Sequence, residues 1–154
     1  MPAKKKRTPK TTLQKFRDSV RRFKKRPILL AEGDSWFAIP TQKNVINHVE
    51  KMGKFSLLCL AKNGDEAVEM LGNKQKRRMR HYLKTYDVQA LLFSAGGNDV
   101  VGEDLISILR KVRDPKDWEG CLRKKQFQRK LRMVRGAYED LIDLRDDYRP
   151  NCTI

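Results

Sequence analysis

Ser35 is the residue of this chain best placed to act as a nucleophile. It follows Ile28–Ala31, a run of four apolar residues, and lies in the turn Gly33-Asp34-Ser35. A short apolar run bounded by glycine is typical of a strand that is buried on both faces of a parallel sheet. Such sheets bind ligands at the loops that leave the carboxyl ends of their strands. Ser35 therefore lies where a nucleophile is expected, although Gly, Asp and Ser also form ordinary turns.

Two later turns repeat this arrangement. The apolar run 55–61 ends in Asn63-Gly64-Asp65, and the run 88–93 ends in Ser94-Ala-Gly-Gly-Asn-Asp99. With three such turns in order, the chain resembles the SGNH, or GDSL, family of serine ester hydrolases. That family is named for Ser, Gly, Asn and His in four sequence blocks. The first three blocks are matched by Ser35, Gly64 and Asn98, with supporting motif residues Gly33, Asp34, Gly96, Gly97 and Asp99.

The resemblance implies a mechanism for ester hydrolysis. Ser35 would be the nucleophile, and the oxyanion hole would consist of the backbone N–H groups of Ser35 and Gly64 with the side-chain amide of Asn98. Asp34 and Asp99 are interpreted as residues that shape their loops. The substrate would be a carboxylic ester of a small alcohol, a lipid or an acylated sugar, and neither a cofactor nor a metal is expected.

The fourth block of the family, an Asp-x-x-His near the C-terminus that supplies the base, has no match in this sequence. A serine hydroxyl is a poor nucleophile until a base takes its proton. His48 is interpreted as a surface histidine away from the carboxyl ends of the strands, and nothing in the sequence pairs His81 with Ser35. We therefore expect a full-length relative to hydrolyse esters through Ser35, and this chain of 154 residues to do so weakly or not at all.

The order of elements predicts an α/β fold with a parallel sheet. Strands are expected near 27–32, 55–61 and 88–94, with helices between them, and 152–154 would begin a fourth strand. The resemblance implies a three-layer α/β/α sandwich of the flavodoxin-like SGNH type, truncated after the start of that strand.

The helices are predicted from apolar stripes and capping residues. A helix capped by Thr41 is expected to face inward with Val45, Ile46, Val49 and Met52, and a short helix, Glu66–Leu71, is expected to be capped by Asp65. The next two helices are Lys74–Tyr86, with Met79, Leu83 and Tyr86 facing inward, and Glu103–Val112, with Leu105, Ile106, Leu109 and Val112 facing inward. The last helix, 123–148, is expected to face inward with Phe127, Leu131, Val134, Tyr138, Leu141 and Ile142. The stretch 113–120 is expected to be a loop or lid.

The net charge of +16 is concentrated in an N-terminal arm. Residues 1–26 contain twelve of the 35 Lys and Arg residues and one of the 19 acidic residues, and 27–154 would be the hydrolase-like domain. The first ten residues are expected to be disordered, and 12–25 to form a helix packed through Leu13, Phe16, Val20 and Phe23. Contact of Lys4–Arg26 with nucleic acid or an anionic membrane is the less favoured interpretation of this arm.

Composition excludes several other classes of protein. Three widely spaced cysteines argue against a disulfide framework and a zinc site. No stretch has the length of a membrane span or of the apolar core of a signal peptide, so a cytoplasmic location is expected.

Three functions remain open from the sequence. The first is a serine ester hydrolase, the second is an SGNH-like binding domain without catalysis, and the third is a protein that binds nucleic acid or membrane through its basic arm.

Overall fold

A small parallel sheet forms the centre of the fold. The computed structural model describes residues 11–101, 105–111 and 119–154. Within them the strands are β1 (Ile28–Gly33), β2 (Ser56–Cys59) and β3 (Val88–Ser94), in the order β2-β1-β3. Both pairs are parallel, so the chain has the predicted α/β class, and each strand lies at the apolar run that predicted it.

The central position of β1 explains why its sequence is almost continuously apolar. Leu30 pairs with Leu58 on one side and with Leu91 on the other, and all three belong to the larger hydrophobic cluster. The alternate residues Leu29 and Ala31 belong to a second cluster. Because successive side chains of a strand point to opposite faces, β1 contributes to a core on each face of the sheet.

Helices connect the strands and cover them. In chain order they are α1 (Thr12–Arg22), α2 (Ser35–Ala38), α3 (Val45–Lys51), α4 (Ala67–Met70), α5 (Asn73–Thr85), α6 (Gly97–Val101), α7 (Leu105–Ile108) and α8 (Lys124–Tyr148).

Helix α1 packs against the sheet through its apolar stripe. Phe16 is 2% exposed, and Leu13 and Val20 pack against the same cluster. Phe23 differs from the expectation, because it ends the helix half-buried, with the Arg26 guanidinium 3.6 Å from its ring centroid. The apolar stripe of this helix is therefore used largely within the fold.

Helix α3 begins later than predicted. Its N-cap is Asn44 rather than Thr41, and Asn44 and Asn47 form a reciprocal capping box. Ile46 is buried as expected, but Val45 is 47% exposed and Met52 is 60% exposed. The buried face is narrower than the sequence pattern indicated.

Two further helix predictions need correction. The backbone N–H groups at the start of α4 are bound by the carboxylate of Asp99, not by Asp65. In α7 the inward residue is Ile108, whereas Ile106 is 83% exposed. Positions 102–104 and 112–118 of the expected helix and lid lie outside the described residues, as does the expected disorder of 1–10.

The buried residues of the long helix α8 lie nearer to its C-terminal end than predicted. Its buried residues are Ala137, Leu141 and Leu144, whereas Leu131 and Ile142 are 44% and 42% exposed. The chain then turns back, and residues 152–154 make a single parallel bridge, Thr153 to Ala90, instead of a full strand.

Two general properties follow from the described residues. None of their helices has both the length and the apolar character that a membrane crossing requires. Cys59, Cys121 and Cys152 form no disulfide bond within the described ranges.

Candidate active site

The turn after β1 holds Ser35 in a fixed position at the carboxyl end of the sheet. Asp34 is 3% exposed, and its carboxylate accepts hydrogen bonds from the Trp36 backbone N–H at 3.1 Å and from the Ser94 hydroxyl at 2.9 Å. The Asp34 backbone N–H donates to the Ser94 carbonyl at 3.1 Å. Asp34 therefore caps α2 and ties this turn to the end of β3, as expected for a loop-shaping residue.

Gly33 is required by the close approach of its neighbours. A Cβ atom at this position would lie 2.8 Å from the Phe37 ring and 2.9 Å from the Ser94 carbonyl oxygen. Both contacts are shorter than real Cβ contacts, so any side chain here would separate β1 from the loop after β3.

The loops after β2 and β3 are joined to each other in the same way. The side-chain amide of Asn98 donates to the Asp65 carbonyl at 2.9 Å. Asp99 is 2% exposed and accepts from the backbone N–H groups of Ala67 at 2.8 Å and Val68 at 3.4 Å. Asp99 thus shapes its loop by accepting from backbone donors of another segment, whereas Asp34 accepts from a backbone N–H of its own turn and from the Ser94 hydroxyl.

Two of the motif glycines have backbone conformations that other residues rarely adopt. Gly64 has φ +85° and Gly96 has φ +104°, both in the left-handed region. Gly97 is the first residue of α6, and it places Asn98 and Asp99 in the first turn of that helix.

The donors expected to form an oxyanion hole retain hydrogen-bonding capacity. Among the described residues, the backbone N–H groups of Ser35 and Gly64 have no partner. Asn98 uses one of the two N–H bonds of its amide on Asp65 and keeps the second. The Ser35 hydroxyl also has no hydrogen-bond partner within this part of the chain. These groups differ in this respect from the carboxylates of Asp34 and Asp99, each of which accepts two hydrogen bonds.

Ser35 opens onto a cleft between α2 and α3 with a volume of about 480 Å³. Gly64 and Asn98 are not among the described residues that line this cleft. The lining residues are Ser35, Trp36, Ile39, Gln42, Lys43, Asn44, Val45 and His48.

His48 lies on this cleft, so its predicted location was wrong. It is exposed, as expected for a surface histidine, but it shares the cleft with Ser35 instead of lying away from the carboxyl ends of the strands. The relation of α3 to α2 depends on how Ile46 packs against the sheet, and the sequence pattern does not report that packing. A histidine on the helix that follows the serine turn was the available signal.

Glu32 is a second polar residue that the sequence interpretation did not consider. It is completely buried in β1, its Oε1 accepts from the Gly33 backbone N–H at 3.2 Å, and its Oε2 has no partner. Burial raises the pKa of the Glu32 carboxyl to about 7, and the positive charge of Arg78 only partly opposes this. An acid directly after four apolar strand residues was the available signal.

A larger hollow lies elsewhere and has a different character. It has a volume of about 680 Å³ and lies near α7 and the start of α8. Its lining is rich in cations, with Arg110, Arg123, Lys124 and Lys125, and none of the described residues that line it is a serine, cysteine or histidine. The smaller cleft beside Ser35 is therefore the better candidate for chemistry.

No group of three or more His, Cys, Asp or Glu residues in the described ranges is arranged to hold a metal ion. No protein-family model matches the chain, and no curated protein matches it. The likeness to the SGNH family consequently depends on the motif residues and their placement.

Proposed function

We propose that this protein is an SGNH-type hydrolase that cleaves carboxylic esters with Ser35 as nucleophile. The observation that carries the proposal is the set of uncommitted polar groups at the carboxyl end of the sheet. Within the part of the chain that the structure describes, the Ser35 hydroxyl, the N–H groups of Ser35 and Gly64, and one N–H of Asn98 have no hydrogen-bond partner. Donors that are left unpaired at the same edge of the sheet as a nucleophile are available to complete their bonds with substrate.

The chemistry follows from these groups. The Ser35 oxygen attacks the ester carbonyl, and the carbonyl oxygen gains negative charge as the tetrahedral intermediate forms. Neutral donors fixed in advance stabilise this charge more in the transition state than in the substrate, and this difference lowers the barrier. The alcohol then leaves, and water releases the acyl group from Ser35.

The proposal includes the finer fold description, a three-layer α/β/α sandwich of the flavodoxin-like type. It is supported by the parallel order β2-β1-β3, by hydrophobic clusters built from alternate residues of β1, and by the bridge from Thr153 that would extend the sheet beside β3.

The lining of the cleft favours an ester with an apolar acyl group. Trp36, Ile39 and Val45 provide apolar surface beside Ser35, and Trp36 is 70% exposed. Exposed aromatic surface at a concave site is typical of ligand binding.

Two measurements on the full chain test the proposal. Hydrolysis of a short-chain p-nitrophenyl ester should be lost in Ser35→Ala and retained in Ser107→Ala, a variant of an exposed serine on α7. A fluorophosphonate should modify Ser35 and leave Ser107 unmodified, as read by peptide mass spectrometry. Turnover that persists in Ser35→Ala would contradict the proposal. Reversible ester binding without Ser35-dependent turnover would instead favour the non-catalytic binding domain.

A further inference from the structure

We infer that His48 is the general base that activates Ser35 in this chain. The inference rests on the proposed function and assigns the part of the mechanism that the matched motif blocks do not supply. It begins from the geometry of the cleft, which is lined by both Ser35 and His48.

The periodicity of helix α3 places His48 on the side of the helix that lines the cleft. Asn44, Val45 and His48 line the cleft, and their spacing places them on one side of the helix. Ile46 and Val49 lie on the other side and pack against the sheet. Because Ile46 is 4% exposed, this face is anchored and the orientation of α3 is fixed.

The Ser35 side of the cleft is anchored as well. Asp34 caps α2, and Phe37 packs into the cluster that also holds Ile46. Both helices that bear the pair therefore rest on the same hydrophobic cluster. A short segment, 39–44, joins them, and several of its residues complete the lining.

Neither member of the pair is committed to another bond. Among the described residues, the hydroxyl of Ser35 and the imidazole of His48 have no hydrogen-bond partner. Lys43 is the other charged side chain on the cleft. An ammonium group has no lone pair that could accept a proton, whereas an imidazole ring can offer one, so His48 is the better acceptor.

The proton balance is complete with water as the only co-reactant. As the Ser35 oxygen bonds to the acyl carbon, its proton passes to His48 and the carbonyl electron pair moves to oxygen. When the bond to the alcohol breaks, the imidazolium returns that proton to the leaving oxygen. Water then attacks the acyl-enzyme, His48 takes its proton, and the proton passes to Ser35 as the acid is released.

His81 is a matched control because the chain has only two histidines. It lies on α5 with its ring 5.1 Å from that of Tyr82. Helix α5 packs through Met79 and Leu83 into the larger cluster, whereas α3 packs into the other one. His81 is exposed, like His48, and is not on the Ser35 cleft.

The experiment compares p-nitrophenyl ester hydrolysis by wild type, Ser35→Ala, His48→Ala and His81→Ala. We expect His48→Ala to lower kcat by about 10²–10⁴-fold with little change in KM, because a general base acts on the chemical step. His81→Ala should match wild type. Added imidazole should restore turnover to His48→Ala alone, because the deleted ring leaves open space beside Ser35. Circular dichroism should show that each variant keeps the fold.

Three results would overturn the inference. If Ser35→Ala is inactive but His48→Ala has the kcat of wild type, another group is the base, and the proposed function stands without His48. If wild type shows no turnover that depends on Ser35, the proposed function and this inference fail together. Loss of activity in His48→Ala without rescue by imidazole would assign His48 a structural role and would also refute the inference.

Discussion

Two groups of polar residues occupy the carboxyl end of this sheet and differ in how their bonds are used. Asp34 and Asp99 are buried, and each accepts two hydrogen bonds, at least one of which comes from a different segment of the chain. Ser35 and His48 lie on an accessible cleft and have no partner among the described residues. Residues of the first group are positioned to build the site, and residues of the second group are available to substrate. Hydrogen bonds to the rest of the protein therefore distinguish the structural residues of this site from the accessible ones, and residue type alone does not.

Asn98 belongs to both groups, so it gives the sharpest test. Its amide supports a loop through Asp65 and keeps one N–H for an oxyanion. We expect Asn98→Ala to lower kcat by about 10²–10³-fold, equivalent to about 2.7–4 kcal/mol, as for other side-chain oxyanion donors. Ester hydrolysis measures the effect, and Asn63→Ala, in the exposed loop before Gly64, is the control. Equal kcat values for the two variants would remove Asn98 from the oxyanion hole.

Glu32 is a buried carboxyl that accepts fewer hydrogen bonds than Asp34 and Asp99 do. Its pKa is about 7 in the folded protein, against 4.5 for an ordinary glutamate. Between these values the folded state keeps a proton that the unfolded state has lost. Stability should therefore fall as the pH rises through this window, by roughly 3 kcal/mol in total, and level off above it.

The neutral variant Glu32→Gln should not show this fall. Urea unfolding at pH 5 and pH 8 measures the difference, with Glu69→Gln, an exposed residue of α4, as the control. Identical pH dependence in Glu32→Gln and wild type would show that Glu32 is not the source.

Asp99 tests the structural side of the comparison. Its removal leaves the backbone N–H groups of Ala67 and Val68 without their buried acceptor. We expect Asp99→Ala to lower the free energy of unfolding by about 2 kcal/mol. Asp143→Ala, an exposed position on α8, should change it by less than about 0.5 kcal/mol. Denaturant unfolding that gives the same midpoint for both variants would contradict a structural role for Asp99.

A substitution of Trp36 tests the accessible group of residues, and its expected effect is the smallest. Its side chain lines the cleft and contributes little to the core, so Trp36→Ala should keep the stability of wild type. We expect KM for an ester with an apolar acyl chain to rise by about tenfold, or roughly 1.4 kcal/mol. Met52→Ala removes another exposed apolar side chain, one that is not on the cleft, and should leave KM unchanged. A rise in KM of the same size for both would separate Trp36 from substrate binding.

The sequence predicted the sheet better than it predicted the helix faces. The three strands are apolar because β1 has a core on each face and β2 and β3 contribute to both clusters. Their composition therefore reflects their burial directly. Helix faces depend on which neighbours are present. Val45, Met52 and Ile106 are apolar but exposed, because no element covers them among the described residues.

The sequence also predicted only part of the candidate site. The turns at Ser35, Gly64 and Asn98 follow from local sequence, because they need particular backbone conformations and short polar side chains. The position of His48 on the cleft that Ser35 also lines depends on the packing of α3, and the burial of Glu32 depends on elements far along the chain. Both are tertiary properties that the local sequence indicates only indirectly.

The strand order has a consequence for how the chain folds. The central strand β1 is made first, and its partners lie far ahead of it, with Ile28 paired to Ser56 and to Val88. During synthesis, β1 is therefore an apolar strand that lacks its second neighbour until β3 has been made. The larger loop must then close before the sheet is complete. During that interval the edge of β1 that later binds β3 is open to other chains. Aggregation in this protein should begin at that edge, before Val88–Ser94 has docked.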